Sequence, residues 1–135
     1  MERTLAIIKP DAVQAKHSGK IIDRIEQEGF TIKGMKKLQM TKQQAQEFYA
    51  VHKERGFYGE LVDFMSSAPV IVMALEKPNA IAAWRDLMGA TDPAKADANT
   101  IRKLYGTSIG NNATHGSVAP ETAKVEVKFF FPELG

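Results

Sequence analysis

The segment from Asn112 to Ser117 has the clearest capacity for chemistry, because it places one histidine among small and turn-forming residues. A neutral imidazole is a competent nucleophile or base near pH 7. Asn112 and Ser117 can hold the imidazole or a substrate by hydrogen bonds, and Gly116 would let the backbone approach a ligand closely. Taken alone, the pattern favours an ordinary loop histidine.

Other polar and aromatic side chains support a functional interpretation. Cationic residues stand where apolar runs stop or turn, and aromatic residues accompany a second histidine: Lys9, Arg85, Arg102, Tyr49, His52 and Phe57. A Walker A phosphate loop is not predicted, since Ser18-Gly19-Lys20 has Gln14 where the first glycine should stand.

Composition excludes several classes of site. The chain has 135 residues, 44% hydrophobic and 25% charged, with a formal net charge of +2 and no cysteine. Thiol catalysis, disulfides and cysteine-ligated metals are therefore excluded. The three histidines lack metal-ligand spacing, and the charge is too mild and too dispersed to predict a nucleic-acid site. No apolar run predicts a signal peptide or a membrane span, so we expect a cytoplasmic protein.

Strands alternating with helices are predicted over a single domain, residues 1–135. Leu5–Ile8, 30–40 and Val70–Leu75 are the predicted strands, and the last is expected to be central. Helices are predicted at 18–28, from the Thr41 capping box to about His52, around 61–65, from an Asn79 cap to Met88, and over 100–105, with a loop at 89–99.

This order predicts an α/β or α+β sandwich with helices on the sheet. A ferredoxin-like pattern needs one more short strand, for which Ala113–Gly116 is the candidate. The tail from Val125 to Phe131 is ambiguous, because its composition favours a strand whereas the preceding 121–124 favours a helix.

Four motifs occur in a particular order: Ile8-Lys9-Pro10-Asp11-Ala12-Val13, Arg85 to Pro93, Thr100-Ile101-Arg102 and Asn112-x-x-His115-Gly116-Ser117. Together they resemble the nucleoside diphosphate kinase family over essentially the whole chain. The resemblance implies a ferredoxin-like βαββαβ fold, with a four-stranded antiparallel sheet covered by helices. It also implies a ping-pong transfer of the terminal phosphate of a nucleoside triphosphate to a nucleoside diphosphate through phosphorylated His115.

The resemblance assigns the phosphate and sugar contacts. It implies that Lys9 contacts the terminal phosphate and the sugar hydroxyl, and that Arg85 and Thr91 hold the penultimate phosphate. Arg102 would stabilise charge near the transferred group, and Asn112 would bind the sugar 3′-hydroxyl. Catalysis of phosphoryl transfer requires mainly such positioning and positive charge near the transferred group.

The resemblance also assigns the surroundings of the histidine and of the base. Tyr49 would hydrogen-bond near His115, and Ser117 and Glu126 would orient the imidazole. His52 is a weaker candidate near the phosphates. The nucleobase would lie between two apolar side chains, Phe57 and Ile109, with little discrimination among bases.

Mg²⁺ would be held mainly by the substrate phosphates, with no dedicated protein metal site. The family forms hexamers or tetramers, so a homo-oligomer is implied.

The chain departs from the family pattern at four positions. Val118 and Ala119 replace an aspartate and a serine after the histidine motif, Asn99 replaces a glycine, and Gly56 replaces a proline. An inactive relative that binds nucleotides or acts as a scaffold is therefore the second hypothesis. A ferredoxin-like RNA-binding domain is a third, although the predicted strands lack its aromatic consensus.

Overall fold

The computed structural model describes residues 1–134, and Gly135, the last residue of the predicted domain, lies outside them. Four strands occur in this range: β1 (Glu2–Ile8), β2 (Thr31–Leu38), β3 (Val70–Lys77) and β4 (Thr114–Gly116). Seven helices accompany them: α1 (Pro10–Gln14), α2 (Ser18–Gln27), α3 (Lys42–Phe48), α4 (Tyr58–Ser66), α5 (Ala80–Met88), α6 (Ile101–Tyr105) and α7 (Pro120–Phe130).

The strands form one antiparallel sheet in the order β2-β3-β1-β4. This order, with α2 between β1 and β2 and α5 between β3 and β4, confirms the predicted ferredoxin-like sandwich. β1 and β3 occupy the centre, which confirms the central position predicted for Val70–Leu75, and both faces of each strand are buried. The short candidate strand at 113–116 is confirmed as β4.

Helices cover both faces of the sheet. On one face, Ala6, Ile8 and Met73 pack against α2 and α5, with Trp84 among the largest buried side chains. On the other face, Leu5, Ile7 and Val72 pack against α3, α4 and α7. Successive side chains of β1 and β3 therefore belong alternately to two hydrophobic cores on opposite faces of the sheet.

Two helix starts illustrate local and distant capping. The Thr41 capping box is confirmed, because Thr41 Oγ1 accepts from Gln44 N at 3.0 Å and Gln44 Oε1 accepts from Thr41 N at 2.9 Å. Asn79 stands at the predicted cap position of α5, but its side chain makes no capping bond. Glu2 Oε1 accepts from Ile81 N instead, at 2.9 Å, so a distant residue performs the capping.

The structure refines the predictions for three segments. α3 ends at Phe48, and a 3-10 turn (Ala50–His52) completes the segment that was predicted as one helix. The 89–99 loop contains a second 3-10 turn, Pro93–Lys95. The ambiguous tail is helical: α7 places Ala123, Val127 and Phe130 in the core, and this burial outweighs the strand preference of its residues.

Lys36 lies on the edge strand β2. Lys36 is exposed, but its Nζ donates to the carbonyl oxygen of Phe130 at 2.7 Å and lies over the Phe131 ring. The lysine therefore connects the edge strand to the end of α7 rather than only facing water.

Candidate active site

β4 presents His115 on the sheet face that α3 and α7 cover. His115 is paired with Ile7 of β1, and the next residue, Gly116, points to the opposite face. A Cβ atom at Gly116 would lie 2.5 Å from Cδ1 of Trp84. The close approach that requires glycine here is therefore to an indole ring, and Trp84 Nε1 also donates to the His115 carbonyl oxygen at 3.1 Å.

A carboxylate fixes the orientation of the His115 ring. Glu126 Oε1 lies 3.2 Å from His115 Nε2 and accepts from Ser117 Oγ at 2.7 Å. Ser117 Oγ in turn accepts from the backbone N–H of Leu5 at 3.2 Å. A carboxylate at Nε2 favours the tautomer with its proton there, which leaves Nδ1 with a free lone pair.

Aromatic side chains form the walls around the imidazole. The rings of Phe48 and Tyr49 meet the His115 ring edge to face, with centroid distances of 5.6 and 6.1 Å. Within the described part of the chain, the Tyr49 hydroxyl is buried without a hydrogen-bond partner. Burial, with a smaller effect of the Glu126 charge, raises the pKa of Tyr49, so the hydroxyl stays protonated and can donate to a ligand.

Three predicted phosphate-binding residues line one cleft. The cleft has a volume of about 570 Å³, and its lining includes Arg85, Thr91, Arg102 and Ser117. The Arg102 guanidinium donates to the carbonyl oxygens of Gly89 and Thr114, each at 3.0 Å. Both bonds hold a buried positive charge in a fixed place beside β4.

Arg85 contacts one of the residues that depart from the family pattern. Its guanidinium donates to the Val118 carbonyl oxygen at 2.9 Å, and Ala119 N donates to Thr122 Oγ1 at 3.0 Å. The backbone of this segment is thus anchored although Val118 and Ala119 have apolar side chains.

Lys9 and Asn112 form a buried polar chain. Lys9 Nζ donates to Asn112 Oδ1 at 2.8 Å, and Asn112 Nδ2 donates to the Thr91 carbonyl oxygen at 3.1 Å. Burial, together with the nearby Arg102 charge, lowers the pKa of Lys9 to about 8, although the Asp11 carboxylate partly opposes both effects. An arriving anionic phosphate would stabilise the charged form of this lysine.

The backbone before His115 adopts an unusual conformation that two contacts maintain. Ala113 has a φ of 73°, in the left-handed region that non-glycine residues seldom occupy. Its N–H donates to Asp11 Oδ2 at 3.1 Å, and its carbonyl oxygen accepts from Lys9 N at 2.8 Å. The start of α1 therefore sets the path of the chain into β4.

The two predicted base contacts lie outside the cleft lining. Phe57, 47% exposed, precedes α4 and packs on the His52 ring at 5.5 Å, and Ile109, 60% exposed, lies in the loop after α6. Both present an apolar surface to solvent, as a stacking position requires.

The sequence interpretation gave no role to three residues that shape this site. Trp84 bonds to the His115 backbone, Asp11 holds Ala113, and Phe48 packs on the imidazole. For Asp11, the only indication in the sequence was its place in the motif Ile8-Lys9-Pro10-Asp11-Ala12-Val13. The other two lie far from His115 along the chain.

Carboxylates do not form a metal cage in the described part of the chain. Within residues 1–134 no group of three or more His, Asp or Glu side chains converges so as to hold a metal ion. Asp86 and Asp97 line the same cleft as the arginines. The cleft lining thus combines two arginine cations with two carboxylates. No helix in this range is long and apolar enough to cross a bilayer.

The chain is similar in sequence to known nucleoside diphosphate kinases. The family model described as nucleoside diphosphate kinase matches residues 2–134. A nucleoside diphosphate kinase from Geotalea daltonii is 63% identical over 134 residues, which cover 99% of this chain and 98% of the relative. One from Persephonella marina is 54% identical, covering 99% of this chain and 96% of the relative.

Solved structures agree with this assignment. The crystal structure of the nucleoside diphosphate kinase from Aquifex aeolicus superposes with a TM-score of 0.96 at 48% identity, covering 98% of this chain and 96% of the other. That from Encephalitozoon cuniculi gives 0.93 at 34% identity, covering 97% and 89%.

Proposed function

The chain belongs to the nucleoside diphosphate kinase family, and we propose that His115 is the residue through which it transfers phosphate. The enzyme moves the terminal phosphate of a nucleoside triphosphate to a nucleoside diphosphate by a ping-pong reaction. The observation that carries the proposal is the Glu126 carboxylate at Nε2 of His115, 3.2 Å away, which leaves Nδ1 as the nucleophile.

The first half-reaction makes one bond and breaks one. The lone pair of Nδ1 attacks the terminal phosphorus, and the bond from phosphorus to the bridging oxygen breaks, with its electron pair left on the departing diphosphate. Glu126 stabilises the positive charge that develops on the ring by accepting from Nε2–H. The second nucleoside diphosphate reverses these steps and restores neutral His115.

Charged and polar side chains position the phosphates. Lys9 and Arg102 are buried cations held beside β4, so they can meet the developing negative charge without reorganisation. Arg85 and Thr91 line the same cleft as Arg102 and would hold the penultimate phosphate. Tyr49 would donate its partnerless hydroxyl to the phosphate on His115.

The sugar, the base and the metal complete the proposal. Asn112 would receive the 3′-hydroxyl beside Lys9, and Phe57 and Ile109 would contact the base. Mg²⁺ would enter on the phosphates and neutralise part of their charge, with Asp86 and Asp97 the carboxylates that line the cleft.

The proposal includes one domain over residues 1–135 and a cytoplasmic homo-oligomer, either a hexamer or a tetramer. The edge strand β2, with the exposed Met35, supports self-association because one of its edges is unpaired in the single chain. Sedimentation equilibrium would determine the number of subunits.

The decisive experiment is phosphoenzyme formation from labelled ATP. The wild type should form an acid-labile, base-stable phosphoprotein that passes its label to added GDP. His115→Ala should form none and should lose turnover by roughly 10³-fold or more, as expected when the nucleophile of a catalytic unit is removed. His17→Ala is the matched control, because His17 packs on Tyr105 away from the cleft.

An unlabelled wild type would overturn the proposal in favour of the inactive relative. Equal labelling of His115→Ala would place the nucleophile elsewhere.

A further inference from the structure

A strained turn lies directly before the strand that carries the proposed nucleophile. Thr114 N donates to the Asn112 carbonyl oxygen at 2.9 Å, and Ala113 between them has a φ of 73°. A three-residue turn with this bond and a positive φ is rare and strained for a residue with a side chain. Such strain persists only where the surrounding structure maintains it. The contacts that hold Ala113 therefore also determine how His115 enters the site.

The junction between β1 and α1 supplies those contacts. Lys9 N donates to the Ala113 carbonyl oxygen at 2.8 Å, and Asp11 Oδ2 accepts from Ala113 N at 3.1 Å. The first bond joins two backbone groups, so it does not depend on the side chain at position 9. The second bond depends on the carboxylate. Asp11 is therefore the side chain that holds the turn.

The same carboxylate acts on the lysine that would meet the terminal phosphate. Lys9 Nζ donates to Asn112 Oδ1 at 2.8 Å. Burial and the Arg102 charge lower the pKa of Lys9 to about 8, and the Asp11 charge acts in the opposite direction. Asp11 thus favours the charged form of Lys9 before any phosphate arrives. The other titratable side chains around the nucleophile are those of His115, Tyr49 and Glu126.

The second carboxylate oxygen of Asp11 shows that the turn alone does not require a negative charge. Oδ1 is buried, and no residue between 1 and 134 offers it a hydrogen bond. A buried oxygen without a partner disfavours the folded state. An asparagine could accept from Ala113 N equally well without burying a charge. The effect on Lys9 accounts for a carboxylate at this position.

We propose that Asp11 is a positioning residue of the phosphate transfer, whose carboxylate fixes the turn before His115 and whose negative charge balances the buried Lys9 ammonium. The proposal rests on the proposed function. Asp11 acts through Ala113 and Lys9. Its two effects can be separated, because the bond to Ala113 matters at every pH, whereas the charge matters most where Lys9 titrates.

Asp11→Asn tests the charge, since asparagine can keep an acceptor for Ala113 N. The variant should retain most of its kcat/KM at about pH 6. The decline of kcat/KM at alkaline pH should begin at lower pH than in the wild type, because Lys9 then loses its proton more readily. In a Lys9→Arg background the same substitution should not change the pH profile, since arginine stays charged.

Asp23→Asn is the matched control for the change of charge. Asp23 lies on the exposed side of α2, where it accepts from Gln27 Nε2 at 3.0 Å. Its pH profile should be that of the wild type.

Asp11→Ala tests the turn, because it removes the acceptor as well as the charge. kcat should fall by up to roughly 10²-fold at every pH, as expected when a nucleophile is slightly displaced. Glycine adopts a positive φ without steric strain. Ala113→Gly in the Asp11→Ala background should therefore restore about tenfold of the rate at about pH 6. Thermal unfolding of each variant would establish that the fold is intact.

Three outcomes would overturn the proposal. An equal loss at every pH in Asp11→Asn would leave Asp11 with a merely structural role in the first turn of α1. A wild-type kcat in Asp11→Ala, or a defect that Ala113→Gly does not relieve, would show that the turn does not depend on the carboxylate. Phosphoenzyme formation by the wild type in the same assays separates these outcomes from failure of the proposed function.

Discussion

The phosphate end and the base end of the candidate site are constructed differently. At the phosphate end, Lys9 and Arg102 are 8% and 9% exposed, and each donates hydrogen bonds to other parts of the chain. At the base end, Phe57 and Ile109 are about half exposed and offer only apolar surface. One end is fixed before any ligand arrives, and the other is an open contact.

This difference indicates how rate and affinity are divided in the site. Preorganised charges act most strongly where charge develops during the reaction, because they need no rearrangement at that moment. Apolar stacking stabilises the bound nucleotide in its ground state and transition state alike, and it does not read base edges. The phosphate end should therefore control turnover, and the base end should mainly control affinity without selecting among bases.

Among the substitutions that test this comparison, Arg102→Ala is expected to have the largest effect on turnover. Turnover should fall by roughly 10²- to 10³-fold, as when one preorganised donor is removed from an active site, with a much smaller change in nucleotide affinity. Lys9→Ala should behave similarly. Steady-state kinetics, with thermal unfolding as a check on stability, would measure both effects.

Arg102→Lys is the matched control for that experiment. It keeps the charge but loses the planar group that reaches both the Gly89 and Thr114 carbonyl oxygens, so an intermediate rate is expected. A raised KM with unchanged kcat in Arg102→Ala would contradict the comparison.

A smaller effect, at the other end of the site, is expected from Phe57→Ala. Loss of stacking should weaken ATP, GTP, CTP and UTP together by roughly 1–3 kcal/mol, and deoxynucleotides equally. Competition between donors would measure the specificity constants of wild type and variant. A several-hundredfold preference of the wild type for one base would refute the stacking interpretation, because it would require hydrogen bonds to base edges.

The smallest effect concerns pH and should appear only at the phosphate end. The pKa of Lys9 is about 8, so the free enzyme loses this positive charge as pH rises through that value. kcat/KM, which reports the free enzyme, should then fall by about tenfold for each further pH unit. Saturating nucleotide should shift the decline to higher pH, because phosphate stabilises the charged lysine.

Lys9→Arg is the control for the pH profile, since arginine stays charged throughout this range. Its profile should lack the decline near pH 8, whatever its absolute rate. A decline that is identical in Lys9→Arg would assign the titration to another group.

The sheet and most helices followed from the sequence because their signals are local. β1 and β3 are apolar runs buried on both faces, and the Thr41–Gln44 pair caps α3 through side chains three residues apart. The tail was undecided, because Val125 and the phenylalanines favour a strand in isolation. Only packing on the sheet selects the helix, in which Val125 remains exposed and Phe130 is buried.

In the site, too, features that depend on nearby residues were predictable, whereas features that depend on residues far along the chain were not. The nucleophile and the cations were predicted from recognisable motifs, and the carboxylate from the family resemblance; their assigned roles stay predictions. The need for glycine at 116 could not be explained locally, because it comes from Trp84, 32 positions earlier. The capping of α5 by Glu2 and the support of Ala113 by Asp11 likewise depend on distant partners.

β4 is an edge strand of the sheet and only three residues long. Unpaired backbone groups on an edge invite another chain to add a strand, which is a route to aggregation. The Thr114 carbonyl oxygen, which points away from β1, already accepts from the Arg102 side chain. The guanidinium that would meet the transferred phosphate therefore also protects this edge from misassembly.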